Sequence, residues 1–345
     1  VRQSRPLYVL LGTAVGYPIS GAVQGLRAGG VLPAAVVAKL PAKYQPLLGF
    51  YIGYVLLNFG LLLRALLLFR HLYYRLTAGQ GPPLVLAALL VFLVSNQVTK
   101  AFFWTVHQQM LTLLVPLLLL WLVLQLREQP RWRALLPGLA LLGGLLALAY
   151  GSFVLMLPVL LYGLWLARRG QGFAGLAARA LWLIGLFALP TLLWMGLLKL
   201  HGVAYYNHET EAYQQLVWLR GLWQQPLPGF LAFVGSNLTR FGATLPAIAP
   251  FLAAALAAAW WIRRTGAAWP AGLAELLGLV ALLTGFLAAL GYYQERLTFT
   301  LVPLLLLVVG LALVRRATRR RGTVLVLAAA LGWHIWQAVS YGTFS

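Results

Sequence analysis

An all-α, polytopic membrane protein is predicted by three observations. Hydrophobic residues make up 62% of the 345-residue chain and the mean hydropathy is +0.85, whereas soluble domains are roughly 45–50% apolar. Charged residues are only 9%, against about 25% in an ordinary soluble domain, so there is too little polar surface to coat a globule. Apolar runs of helix-spanning length recur from one end of the chain to the other.

Taken in order, the runs fall at 7–26, 46–69, 82–98, 109–126, 134–149, 152–167, 180–199, 242–262, 272–292, 298–314 and 324–343, about eleven transmembrane helices in a single transmembrane domain, 1–345. The first run lacks a small-residue cleavage site and reads as an anchor rather than a signal peptide. Between 134 and 167 only Tyr150-Gly151-Ser152 interrupts the apolar sequence, which predicts a tight hairpin tip there.

The connections carry the charge. Basic clusters occur at Arg2 and Arg5, at Arg70 and Arg75, at Arg127, Arg131 and Arg133, at Arg168, Arg169 and Arg179, at Arg263 and Arg264, and from Arg315 to Arg321. Eleven spans place all of these on one side, which the positive-inside rule makes cytoplasmic. The expectation is an integral protein of a cytoplasmic or inner membrane, with a cytoplasmic N-terminus, an external C-terminus and external loops at about 27–45 and 200–241. In such a chain the formal charge of +21 reflects orientation and anionic lipid, and no nucleic-acid motif accompanies it. Cysteine is absent, which excludes disulfides and thiolate chemistry. No P-loop or dinucleotide fingerprint is present, and the inner connections are short, so chemistry is expected at the outer face.

Only five residues are acidic and none is Asp, yet Glu209 and Glu211 stand within three residues of one another in the stretch Tyr205-Tyr-Asn-His-Glu-Thr-Glu211. If that stretch is helical, His208 and Glu211 share a face and Glu209 pairs with Tyr213. A histidine and a carboxylate so placed suit a general base or a divalent cation. The competing reading is local: Asn207 caps a helix, and acids in its first turn suit the positive end of the dipole. Lys100 and His107 lie in a second external stretch, where a lysine suits a lipid phosphate or simply snorkels to the surface. Arg296 stands at the outer mouth of a span, where its fork suits phosphate and its position equally suits interfacial anchoring. Arg220 and Arg240 are further external cations.

Three stretches resemble the GT-C superfamily of integral membrane glycosyltransferases. In the stretch from Lys43 to Arg75, Pro46-Leu47 opens the second span and Arg64 follows; Tyr44 and Gln45 precede it. The Gly-rich pair from Leu135 to Leu166 and the segment from Tyr292, with Arg296 before a Leu-Pro-rich helix, are similar to later parts of that family. The resemblance implies transfer of a sugar from a polyprenyl-phosphate carrier at the outer face. It also implies an acidic residue in the first external loop as base or metal partner, expected near Tyr17 to Ser20. No acid precedes Glu128. The expected catalytic group is therefore Glu209, Glu211 and His208, with a divalent cation as candidate cofactor. The expected substrate-binding group is Lys100, His107, Arg220, Arg240, Arg296, Tyr44 and Gln45. The missing first-loop acid favours an alternative, a non-catalytic membrane subunit of that fold bound to a partner protein; a lipid or solute transporter is a third.

Overall fold

A computed structural model describes residues 5–31, 42–168, 172–265, 270–316 and 320–340. All regular structure among them is helical. The main helices among them are α1 (Pro6–Ala28), α2 (Leu48–Leu76), α3 (Pro83–Val94), α4 (Gln97–Phe102), α5 (Leu111–Glu128), α6 (Leu136–Ala147), α7 (Met156–Leu166), α8 (Phe173–Leu200), α9 (His208–Glu211), α10 (Leu227–Gly242), α11 (Ala249–Arg264), α12 (Leu273–Ala289), α13 (Val302–Arg316) and α14 (Arg320–Ser340).

Each expected apolar run contains helix, but the runs differ in reach. Seven helical stretches among the described residues are long and apolar enough to cross a membrane, and the runs at Pro83–Val94, Leu136–Ala147, Gly151–Leu166 and Leu273–Ala289 are shorter. The shortening of α3 lies at its far end: the helix stops at Val94, and Asn96 accepts from Thr99 N–H to start the next one, so the expected run 82–98 is broken in two. The Tyr150-Gly151-Ser152 interruption is a tight connection, ending in a 3₁₀ turn from Gly151 to Leu155.

Two helices form the centre. In the most apolar part of Gln108–Glu128 and of Glu295–Val314, 83% and 78% of residues are buried within the protein, against only 11% in Phe173–Leu200 and in Gly322–Ser340. Leu113, Leu117, Leu120 and Leu124 of α5 are fully enclosed; α2, α7 and α12 pack around it, while α3 and α11 pack on α13. The eighteen residues of α5 separate the two ends of the bundle by about 27 Å at 1.5 Å per residue.

One end holds Arg75 paired with Glu128 and Arg127 paired with Glu275, each at 2.6 Å. The other holds His107, Tyr150, Glu209 and Arg296, and Arg5 lies with them. The expectation that Arg5 shares a side with Arg75 and Arg127 is therefore corrected: Arg5 bonds Glu209 at 2.8 Å, at the opposite end. The rule that sorts loop charges by side counts residues without regard to partners, and here a specific carboxylate holds the arginine. Leu7 N–H donates to Leu148 O at 3.3 Å and fixes the start of α1 at this end.

From there α1 runs antiparallel to the first half of α2, backbone against backbone. A Cβ added at Gly53 would lie 2.5 Å from Gly16 Cα and 2.7 Å from its nitrogen; Gly49 is equally close to Ser20. Small residues at a helix crossing permit this approach. Asn58, fully buried in α2, accepts from Tyr8 Oη at 3.1 Å and donates to Thr105 O at 2.6 Å. It thereby ties α1, α2 and the α4–α5 connection together beneath the site. Gly53→Leu is expected to prise α1 from α2 at a cost of about 1–3 kcal/mol, visible as a lowered melting midpoint of the detergent-purified chain; an unchanged midpoint would show that the crossing is not needed for stability.

Candidate functional site

The site grows from the stretch rich in acids. Asn207 Oδ1 accepts from Glu209 N–H at 3.1 Å and caps α9, as its position before the acids suggested. The helix is a single turn, so the longer helix expected through Tyr213 is corrected: Gln214 and Leu216 adopt positive φ and turn the chain. Leu216 N–H donates to Leu290 O and Trp218 Nε1–H to Ala289 O, both at 2.8 Å, docking this loop on the end of α12. Glu209 faces inward as a result, and Glu211 is exposed.

Arg5 is the hub. Its Nε donates to Glu209 Oε1, its guanidinium lies 5.1 Å from the Tyr150 ring centre, and Gln108, with its amide oriented to suit its neighbours, accepts from Nη1 at 3.2 Å and Nε at 3.0 Å. Only 11% of the Arg5 side chain and 16% of the Glu209 side chain remain exposed, so both charges rely on each other. Burial pushes the Tyr205 phenol above its ordinary range; the Glu209 charge adds to this and Arg5 opposes it.

Arg296 approaches from the far wall. Its guanidinium sits 5.6 Å from the Phe102 ring centre, its main-chain oxygen accepts from Gln109 Nε2 at 3.3 Å, and its Nε is buried without a hydrogen-bond partner among the described residues. Tyr292 lies beside Arg296 and stacks on Tyr213 at 4.2 Å between ring centres. Burial foremost, and then Tyr213, raise the Tyr292 phenol, with Arg296 in opposition.

These residues line a polar hollow of about 300 Å³. Beside it an apolar cavity of about 740 Å³ runs between α1 and α2, walled by Tyr8, Leu48, Phe50, Tyr51, Tyr54 and Val106. Arg5, His107 and Gln108 belong to both. The combination accommodates an amphipathic molecule with an anionic head: apolar surface for a chain, two guanidiniums for charge, and one carboxylate to accept a proton.

The expected site residues are thus brought together only in part. Glu209, His107 and Arg296 converge on the hollow. His208 does not line it and instead packs edge-on against Tyr213 at 4.7 Å, so His208, Glu209 and Glu211 are not one group. Lys100 lines a different cavity. Arg220 and Arg240 are exposed, and Gln45 accepts from Arg27 at 3.1 Å; the Tyr44 side chain and residues 32–41 of the expected first external loop lie outside the described residues. Among the described residues no three His or Glu side chains gather as metal ligands. The hollow offers a cation one carboxylate, already bonded to a guanidinium, beside a second guanidinium, a poor donor set for a divalent ion.

Sequence reasoning missed Arg5, Gln108 and Tyr150. The polar pair Gln108-Gln109 opening an otherwise apolar helix was the available signal.

Comparison with known proteins by family, by curated sequence and by solved structure finds no match to this chain.

Proposed function

We propose that the protein transfers a sugar from a polyprenyl-phosphate carrier to a hydroxyl acceptor, in the manner of the GT-C glycosyltransferases. The observation that carries this reading is the join at Arg5, His107 and Gln108 between an apolar cavity and a hollow holding Arg296 and Glu209. The isoprenoid chain occupies the apolar side and its phosphate meets the two guanidiniums. The acceptor oxygen attacks the anomeric carbon, the carbon–oxygen bond to phosphate breaks, and the electron pair leaves on the lipid phosphate. Glu209 takes the acceptor's proton, while Arg296 and Arg5 hold the charge that develops on the leaving group. The site end is assigned to the outer face because Arg75, Arg127, Arg131 and Arg133 cluster at the other.

A second reading rests on one contact. A guanidinium partner favours the ionised form of a carboxylate and weakens it as a base, and Glu209 has such a partner in Arg5. If the lipid phosphate does not draw Arg5 away, the protein binds the carrier without turning it over and serves as a subunit for another enzyme.

Vesicles containing the purified chain and a polyprenyl phosphate bearing a labelled sugar separate the two. Label appearing on a hydroxyl acceptor is the expected result. Carrier retained by the protein with no transfer, whichever sugar it bears, would overturn the catalytic reading and leave the binding one.

A further inference from the structure

A second cavity, of about 450 Å³, lies on the other side of the α4–α5 connection from the site. Phe102 and Phe103 divide the two: Phe102 carries Arg296, whereas Phe103 faces the second cavity along with Phe59, Leu62 and Val94. Its walls are almost wholly apolar, with two exceptions that have no use within the protein. Gln337, on α14, is 7% exposed, and its Oε1 is buried with no hydrogen-bond partner among the described residues. An unpaired buried carbonyl is destabilising. Lys100, half-buried at the end of α4, makes no ion pair or side-chain hydrogen bond among the described residues. The other polar groups here are satisfied: His334 Nδ1 and Ser95 Oγ lie 2.8 Å apart, and Asn96 donates to Leu93 O.

We propose that this cavity is a separate binding site for a membrane phospholipid whose headgroup joins a phosphate to a hydroxylated group. The acyl chains replace the missing contacts of the apolar walls, the phosphate meets the Lys100 ammonium, and a headgroup hydroxyl donates to Gln337 Oε1. Charge complementarity argues for the phosphate, and the unfilled acceptor argues for the hydroxyl; a choline headgroup supplies the first but not the second. This site does not depend on sugar transfer, since none of its polar groups faces the Arg5–Arg296 hollow.

The test uses the full chain, stripped of lipid in detergent and titrated with phosphatidylglycerol or, in parallel, phosphatidylcholine. Lipid retained is read by native mass spectrometry and the melting midpoint is recorded alongside. The wild-type chain is expected to retain phosphatidylglycerol about 2- to 10-fold better, the value of the one neutral hydrogen bond that its hydroxyl gives Gln337 and choline cannot. Lys100→Gln weakens retention of both lipids, since both bring a phosphate to the ammonium. Gln337→Leu melts higher than wild type without lipid, because an unpaired carbonyl has been replaced by an apolar group, and it loses the preference for phosphatidylglycerol. Opposite signs in one variant distinguish a ligand-facing residue from a structural one. Equal retention of the two lipids by the wild-type chain would overturn the proposal. So would a preference that survives Gln337→Leu, since it would then belong to the site at Arg296.

Discussion

Glu209→Gln is expected to lower sugar transfer by about 10²–10⁴-fold, the usual contribution of a positioned general base, while Glu211→Gln leaves the rate unchanged. The two acids are two residues apart, so composition and local charge treat them alike. The structure separates them: Glu209 lines the hollow and bonds Arg5, and Glu211 points into open space. Glutamine at 209 keeps the shape and an oxygen that accepts from Arg5, and the Asn207 cap reaches the backbone N–H of residue 209 rather than its side chain. The fold should therefore survive, which a matched melting midpoint would establish. Initial rates at saturating carrier then report the proton-accepting step alone. Wild-type rates in Glu209→Gln would remove this carboxylate from the chemistry.

How far the sequence could lead to this point differs by feature. Hydropathy located most of the apolar helices, but it left α10 (Leu227–Gly242) in the expected external loop at 200–241, although this helix belongs to the long apolar stretch Leu227–Arg264. It overstated their reach at α3 and α6, which stop at Val94 and Ala147; at α3 the Asn96 cap starts a new helix, a local polar contact that mean hydropathy does not register. The Asn207 cap was legible, since capping is a contact between neighbours in the chain, whereas which of Glu209 and Glu211 turns inward was not. Arg5 was not. Its partners Gln108, Tyr150 and Glu209 lie 103 or more residues away, and the charge rule that assigned its side knows nothing of pairing. Lys100 and His107 illustrate the same limit over a shorter distance. Both belong to one polar connection, yet the turn after α4 sends His107 to the hollow and leaves Lys100 beside α14.

The position of Arg5 has a cause that reaches back to small residues. Gly16, Gly49 and Gly53 allow α1 and α2 to meet at backbone distance, and Asn58 locks Tyr8 to the α4–α5 connection. Helix packing thereby delivers a guanidinium to the one carboxylate in the hollow. The same crossing forms the walls of the apolar cavity, so the surface offered to a lipid chain and the charge offered to its head are products of one interface.

Arg5→Ala should consequently fail in two ways that can be measured apart. Removing the guanidinium strands a mostly buried carboxylate, at a cost of about 2–3 kcal/mol, somewhat below the range for a fully enclosed pair because both side chains keep an edge in water. It also removes a charge-assisted contact to the lipid phosphate, which should weaken carrier retention by about 10- to 100-fold. The reversed pair, Arg5→Glu with Glu209→Arg, separates these effects. It restores an ion pair between the same two positions, so much of the lost melting temperature should return. It also places a carboxylate at the mouth of the apolar cavity, where the phosphate would have to sit, and like charges there oppose binding. Recovery of stability without recovery of carrier retention is the expected pattern. Undiminished retention in Arg5→Ala would mean that the lipid head is held elsewhere, and the link between the two cavities would lose its chemical meaning.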